Sequence, residues 1–220
     1  MLSVEEALDL VLENSFPLLG TEILSINKCL NRNLANAIEA PINLPRFRES
    51  SMDGFALCLH NSNLYSIVDE VKAGDSKNPI LNPGECVRIF TGAVVPDAAE
   101  AVIMQENTIR NNNKLTIQVT VKEGQNIRSV GSQVKKGTFP LEKGQVLQAS
   151  GVSFLQSLGI SQVKVVRSPK AAIILTGNEL ISSGESLTRG KVYESNSILL
   201  KSALMQQGIE PELISSTEDN

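Results

Sequence analysis

The sequence has no tryptophan, one histidine and three cysteines in 220 residues. Cys29, Cys58 and Cys86 are odd in number and widely separated, without a CxxC pair, which argues against a disulfide framework and a thiolate zinc site. We expect them to be small buried hydrophobic residues. His60 lies in a predicted turn, so a mechanism that needs a Ser–His or Cys–His pair would depend on it alone. Acid–base chemistry falls more readily to carboxylates.

An excess of positive charge, a long apolar run and a secretory leader are also missing. The formal net charge is −4 and the pI is about 5.2, so the chain has no general attraction to nucleic-acid phosphates. The apolar run at 171–175 is far shorter than a membrane span. The N-terminus carries two early glutamates and no basic segment. We therefore expect a cytoplasmic protein that binds neither nucleic acid nor membrane.

What the sequence contains is typical of a globular chain of one or two domains: 41% hydrophobic and 20% charged residues. Ser3 followed by Glu6 is a capping-box pattern, and apolar residues then recur with helical spacing, which predicts a helix over 3–12 that ends near Asn14 and Pro17. A short strand is expected at 22–27 and a helical turn at 34–39.

Short apolar runs between turn residues make the segment from about 42 to 135 predominantly β. The run Asn111-Asn112-Asn113 suits a tight hairpin, since asparagine accepts the left-handed conformation. A helix at 150–158 closed by Gly159 and a strand at 163–166 follow. The strands predicted in the β-rich segment are 55–59, 64–71, 86–90, 101–104, 107–110 and 115–121.

The pattern changes again at 171. Residues 171–175 read as a strand buried on both faces of a parallel sheet, followed by a loop, a helix at 196–207 and a strand at 213–215, which is one βαβ unit. Two strands and one helix cannot cover both faces of such a sheet. We therefore expect the sequence to be a fragment or truncated product rather than a unit completed by a partner.

Four stretches are rich in Gly, Thr and acidic residues, and each allows two interpretations. Asp53 in SSMDGFA is either a hairpin-turn residue or a carboxylate held for a ligand. Thr91-Gly92 in RIFTGA is a turn or a polar site. In GQNIRSVG, Arg128 forms a surface salt bridge or clamps an anion such as phosphate.

The fourth stretch, TGNEL, directly follows the strand at 171–175, where open α/β sheets bind ligands. Gly177 would allow close backbone approach, and Thr176 or Asn178 would donate hydrogen bonds. Glu179 would act as a base or metal ligand. The alternative is a loop in which Glu179 caps a following helical turn.

Taken in order, these stretches resemble the molybdopterin molybdenumtransferase family, which is MoeA-like and related to the gephyrin E domain. The resemblance covers essentially all 220 residues but only about the first half of a family member. The matching segments are PRFRESSMDGFAL, VRIFTGAVVPDAAEAVIMQE, GQNIRSVG, LEKGQVL and AAIILTGNELISSGESLTRGKVYESNSILL.

The resemblance implies a multidomain α+β protein with three parts. It predicts a helical and extended domain over 1–41 and 138–168, an inserted β-rich domain over 42–137, and the start of an α/β molybdopterin-binding-like domain over 169–220. It also implies a transferase of molybdenum cofactor biosynthesis. Such an enzyme inserts molybdate into adenylylated molybdopterin, with release of AMP and with a divalent cation such as Mg²⁺. The implied partners are a second copy in a homodimer and the molybdopterin adenylyltransferase.

Residue by residue, the resemblance makes Asp53, Glu179 and Thr91 catalytic. Because the substrates are anions, Asp53 and Glu179 are interpreted as cation ligands or as bases toward water. Asn126 and Arg128 would orient or neutralise phosphate. The other residues implied to bind the pterin substrate are Ser51, Thr176, Gly177 and Asn178.

The sequence departs from the family at two places. Ser132-Gln133 stands where the family usually has Glu-Asp, and Asn220 follows Asp219 where a second aspartate is usual. The family's later glycine-rich loop and β-barrel are not in these residues. These departures favour an alternative, a catalytically inactive relative that acts as a binding or dimerisation module.

Overall fold

The computed structural model describes residues 2–16 and 20–217. Glu39–Pro140 forms one compact unit, and the described residues that flank it on both sides form the other. We call them the β-rich unit and the flanking unit. The α-helices are α1 (Val4–Glu13), α2 (Ala149–Ser157) and α3 (Asn196–Gln206). The strands are β1 (Thr21–Ser25), β2 (Glu49–Ser50), β3 (Gly54–Leu57), β4 (Leu64–Val71), β5 (Glu85–Ile89), β6 (Ala101–Met104), β7 (Thr108–Asn111), β8 (Lys114–Ile117), β9 (Ile127–Arg128), β10 (Gln162–Val166), β11 (Ala172–Thr176), β12 (Leu180–Ile181), β13 (Val192–Tyr193) and β14 (Leu213–Thr217).

The β-rich unit is built on a sheet with the strand order β6-β3-β5-β4-β8-β7. Only β4 and β5 run parallel among these described pairs. Side chains that alternate along β3 enter separate apolar clusters, Ala56 in one and Phe55 and Leu57 in the other. The sheet is therefore buried on both faces at its centre. The strands predicted from the apolar runs are confirmed, except that β3 ends at Leu57, short of the predicted residue 59, and β8 ends at Ile117, short of the predicted residue 121.

Asparagine closes the β7–β8 hairpin as predicted, since Asn112 has φ +53°. Four short strands were not predicted, namely β2, β9, β12 and β13. β2 and β9 pair with each other and bring Glu49 opposite Arg128. A strand of two residues is too short to show alternating apolar and polar residues in the sequence, so it is identified only by its pairing with another strand.

In the flanking unit, the capping box of α1 is confirmed. Ser3 Oγ accepts the Glu6 N–H at 3.1 Å and Glu6 Oε2 accepts the Ser3 N–H at 2.7 Å. The helix ends at Asn14, whereas Pro17 lies outside the described residues. β1 pairs antiparallel with β10, and α2 packs near them around Leu34, Leu147 and Leu155.

The helical turn predicted at 34–39 is wrong. Leu34 forms an antiparallel bridge with Val165, and Ile38 forms one with Leu141. The Leu34 N–H donates to Gln145 O at 3.0 Å, so distant segments satisfy the backbone groups that a helix would pair locally. Leu34 is fully buried. Tertiary pairing overrides the local helical preference here.

The βαβ unit is confirmed, because β11 and β14 pair in parallel from Ala172 opposite Leu213. The expectation that β11 is buried on both faces is wrong. Ile173 is buried, but Ile174 is 64% exposed, because no described element covers its face. Asp219 and Asn220 lie outside the described residues.

The three cysteines are free and buried, as predicted. Burial raises the pKa of Cys86 to about 12, so this thiol is not a nucleophile at neutral pH. The described elements make a mixed α+β protein, also as predicted. In the described part of the chain, no helix combines the length and the apolar character that crossing a membrane requires.

Candidate active site around Asp53

Asp53 precedes β3, and its carboxylate contacts Thr91, which follows β5. Asp53 Oδ1 accepts two hydrogen bonds, from the Thr91 N–H at 2.7 Å and from the Thr91 hydroxyl at 2.8 Å. β3 and β5 are antiparallel neighbours with Gly54 opposite Ile89, so the start of one strand meets the end of the other. The fold thus brings two predicted catalytic residues, 38 positions apart, into direct contact.

The hydrogen bonds from Thr91 also set the charge of the site. The backbone N–H of Thr91, then its hydroxyl, and more weakly the positive charge of Arg88, hold the pKa of Asp53 below its ordinary value of 3.8. Asp53 is exposed, and among the described residues its Oδ2 accepts no hydrogen bond. The site therefore presents an ionised carboxylate with one oxygen held and one open to solvent.

Gly54 explains why this turn is not the hairpin that Asp-Gly suggests. Among the described strands, β2 pairs with β9 and not with β3, so no hairpin joins the two. Gly54 begins β3, and a Cβ at this position would lie 1.8 Å from the Ile103 carbonyl oxygen of β6. The glycine permits close strand approach rather than a left-handed turn. The hairpin-turn interpretation of Asp53 is wrong.

Serine side chains hold the backbone before Asp53. Ser50 is fully buried, and its hydroxyl donates to the Met52 carbonyl at 2.7 Å. Ser51 donates from its N–H and its hydroxyl to the Asn126 carbonyl at 3.0 and 3.1 Å. Asn126, at φ +54°, in turn donates from its side-chain amide to Val102 O at 3.0 Å. Ser51 and Asn126 thus lie together, and these contacts order the loop.

Arg128 forms a surface salt bridge, which is one of the two interpretations that the sequence allowed for this residue. Its Nη1 lies 2.8 Å from Glu49 Oε1, and its side chain is 45% exposed. The neighbouring Ile127 lines a cavity of about 520 Å³ that also carries the carboxylates of Glu100 and Glu123. Because successive strand side chains point to opposite faces, Arg128 faces away from that acidic cavity. Its remaining guanidinium donors are open to solvent.

The second predicted region, TGNEL, follows β11 in the flanking unit. Thr176 ends that strand, so its predicted place at the carboxyl end is confirmed. Gly177 has φ +141°, and a Cβ there would lie 2.8 Å from a carboxylate oxygen of Glu179. Lys191 Nζ donates to the Asn178 carbonyl. The helix-cap interpretation of Glu179 is wrong, because β12 and not a helix follows it.

Asp53 and Glu179 belong to different compact units, each described by itself. Within the described residues, no group of three or more His, Cys, Asp or Glu side chains could hold a metal ion. A cation at Asp53 would therefore need water or substrate oxygens to complete its coordination. Magnesium commonly binds in this way, through one or two carboxylates and the phosphates of a substrate.

Sequence reasoning missed Arg88, Gln105 and Glu49. Arg88 lies on β5 between the buried apolar residues Val87 and Ile89, and a charged side chain in that position is a signal that could have been used. Gln105 and Glu49 lie in short, irregular segments that give no such signal.

The sequence matches the family model of the MoeA N-terminal region, domains I and II, over residues 2–159. It is 35% identical over 208 residues to the molybdopterin molybdenumtransferase of Nostoc sp., covering 91% of this chain and 48% of that protein. It is 37% identical over 206 residues to the protein of the same name from Haemophilus influenzae, covering 91% of this chain and 51% of the relative. The chain spans about half the length of these curated relatives.

Solved structures agree with the sequence matches. The molybdopterin biosynthesis MoeA protein of Pyrococcus horikoshii OT3 superposes with a TM-score of 0.83 at 33% identity, over 98% of this chain and 60% of that one. A second MoeA structure from that species gives a TM-score of 0.72 at 31% identity, over 100% of this chain and 58% of that one. Family model, relatives and fold agree, and the chain belongs to the MoeA family, which it matches over the N-terminal region.

Proposed function

We propose that this chain acts in molybdenum cofactor biosynthesis as a molybdopterin molybdenumtransferase. It would insert molybdate into adenylylated molybdopterin and release AMP. The observation that carries the proposal is the Asp53–Thr91 contact, because the two motif residues meet in one ionised, partly open carboxylate site. The names of the relatives support the substrate class.

The sequence left two roles open for Asp53, and the geometry of its carboxylate, with Oδ1 held by Thr91 and Oδ2 open, supports cation binding. A carboxylate whose pKa is held below 3.8 is a weak base at neutral pH. It is nevertheless a good ligand for a hard cation through its open Oδ2. We therefore assign Asp53 to cation binding, with Thr91 holding the other oxygen. A bound Mg²⁺ would neutralise phosphate charge while the phosphoanhydride is cleaved.

In that cleavage, a water oxygen bonds to one phosphorus as the bridging P–O bond breaks, and AMP separates from the pterin phosphate. Arg128 would neutralise phosphate charge with its open guanidinium donors, and Asn126 and Ser51 would order the loop that carries it. In the flanking unit, Thr176, Gly177 and Asn178 would bind the pterin, and Glu179 would be the catalytic acidic residue of that unit.

The proposal includes further expectations that rest on the family resemblance. These are a cytoplasmic homodimer, contact with the molybdopterin adenylyltransferase, and three domains over 1–41 with 138–168, 42–137 and 169–220. Cross-linking followed by mass measurement of the purified chain would test the dimer directly.

The deciding assay measures molybdate-dependent AMP release from adenylylated molybdopterin by the chain, with and without Mg²⁺. We expect Asp53→Asn and Glu179→Gln to lower kcat by about 100-fold or more. Glu123→Gln and Glu210→Gln neutralise exposed carboxylates in the same two units and should leave kcat unchanged. Parent activity in the Asp53→Asn and Glu179→Gln proteins would refute the assigned roles.

Ser132 and Gln133 are the sequence departure behind the alternative, an inactive binding module, which the names of the relatives do not favour. Both residues are exposed, and their backbone N–H groups donate to Ser129 O at 3.1 Å and to Leu44 O at 2.9 Å. No carboxylate replaces the family's usual acidic pair at these two positions. Absence of AMP release, together with retained molybdopterin binding, would support this candidate. Activity gained in the Ser132→Glu, Gln133→Asp double variant would then trace the loss to this pair.

A further inference from the structure

Arg88 is a half-buried arginine on β5, three residues before Thr91. Its guanidinium carbon lies 4.6 Å from the centre of the Phe90 ring and 5.3 Å from that of Phe55. A guanidinium that lies over two aromatic rings loses part of its hydration, so its N–H groups need acceptors within the protein.

Two of those N–H groups have such acceptors close to Asp53. Nη1 donates to the Gly54 carbonyl at 2.7 Å, and Nη2 donates to Gln105 Oε1 at 2.7 Å. The Gln105 N–H donates to the Asp53 carbonyl at 3.2 Å. Arg88 therefore links the Asp53-Gly54 backbone, through Nη1, to the Gln105 side chain, through Nη2. The backbone N–H of Gln105 in turn bonds to the Asp53 carbonyl, which closes the arrangement. This closed arrangement lies on the same strand end that delivers Thr91.

We propose that Arg88 is a positioning residue for Asp53: its two-pronged contact fixes the Asp53-Gly54 backbone so that Oδ1 stays on Thr91 while Oδ2 stays open. The expected effect of Arg88 on the reaction rests on the proposed function, whereas its contacts with Gly54 and Gln105 do not. Lysine cannot reproduce this contact, because its single Nζ cannot occupy the separate Nη1 and Nη2 positions from which the planar guanidinium donates.

The test uses the full chain and compares Arg88→Lys with Arg110→Lys. Arg110 is a matched control, a β7 arginine whose Nε donates to the Asn112 carbonyl at 3.0 Å, outside the Asp53–Gln105 arrangement. We expect Arg88→Lys to speed amide exchange at Thr91 about tenfold, the effect of losing one hydrogen bond to a charged group. The Asp53 pKa, followed by carboxyl ¹³C NMR, should rise as its contact with Thr91 loosens. Gln105→Ala should reproduce part of both changes, and Arg110→Lys neither.

The kinetic experiment measures kcat and KM separately, with adenylylated molybdopterin as the substrate. A positioning role predicts that Arg88→Lys lowers kcat about tenfold with KM unchanged, since binding groups stay in place. If the parent chain releases no AMP, the proposed function fails, while the NMR readouts still decide the role of Arg88. Unchanged Thr91 exchange and Asp53 pKa in Arg88→Lys would overturn the inference. Exchange that rises equally at β4 and β8 amides would also overturn it, because Arg88 would then be a general stability residue.

Discussion

The Asp53 turn and the Glu179 loop carry the two carboxylates that the sequence predicts to be catalytic, and they are built differently. Asp53 directly precedes β3, in a sheet that is buried on both faces at its centre, and its Oδ1 is held by two hydrogen bonds from Thr91. Glu179 is exposed and follows β11, in which Ile174 is 64% exposed, and its carboxylate lies beside Gly177.

The difference shows how a fold prepares a carboxylate. A side chain that is hydrogen-bonded to a rigid strand end keeps one geometry before any ligand arrives, which lowers the cost of binding. A side chain on an exposed loop keeps its rotamer freedom until a ligand or another segment orders it. Asp53 is therefore a preorganised carboxylate of the β-rich unit, whereas Glu179, in the flanking unit, keeps more rotamer freedom.

The largest expected effect compares glycines in the two regions. Gly54→Ala would place a Cβ 1.8 Å from the Ile103 carbonyl oxygen, so β3 and β6 would have to separate. We expect a loss of about 3 kcal/mol or more in the β-rich unit. In Gly177→Ala the new Cβ would contact only the flexible Glu179 side chain. Alanine would be strained at the φ of this position, which costs about 1–2 kcal/mol. Amide hydrogen exchange measures each unit separately. Equal losses would contradict the comparison.

A smaller effect is expected from Ser50→Ala, which removes the donor to the Met52 carbonyl at 2.7 Å from a fully buried side chain. We expect the β-rich unit to lose about 1 kcal/mol of unfolding free energy. Ser182→Ala removes an exposed hydroxyl from the other loop and should change stability by less than about 0.5 kcal/mol. Exchange of the β3 amides in both variants provides the measurement.

The pH dependence of the Asp53 turn has a defined sign. Because the folded-state pKa lies below 3.8, the hydrogen bonds from Thr91 stabilise the fold above that pH, and this contribution is lost as the pH falls through the folded pKa. Thr91→Val should raise the Asp53 pKa only part of the way, since the backbone N–H, the larger cause, remains. A carboxyl ¹³C titration measures this. Thr91→Ser keeps the hydroxyl and should titrate like the parent.

The smallest effect concerns charge pairs, which both units contain. Arg128→Gln removes the contact with Glu49 at 2.8 Å, and Lys170→Gln removes the exposed contact with Glu212 at 3.2 Å. Each should change the free energy of unfolding by less than about 0.5 kcal/mol. Denaturation at low and high salt would measure both. A large loss in Arg128→Gln alone would mean that an ion pair, and not strand packing, orders the Asp53 turn.

Several elements were predictable because their signals are local. The α1 capping box, the hairpin at Asn112 and the β4 strand each follow from residues within one segment. The family was predicted from a different signal, the order of several motifs along the whole chain. The segment at 34–39 was mispredicted because its backbone pairs with residues more than 100 positions away, near Leu141 and Val165. No local pattern carries that information.

The sequence by itself determined which family this chain belongs to, where most strands run, and that Asp53, Thr91 and Glu179 are the residues to examine. Only the tertiary structure decided that Asp53 is not a hairpin residue, that Thr91 holds its carboxylate, and that Arg88 and Gln105 join its backbone. The physical reason is that strand pairing places residues 53, 88, 91 and 105 within hydrogen-bonding distance. The free energy that selects this pairing comes from burying both faces of the whole sheet, not from any one motif.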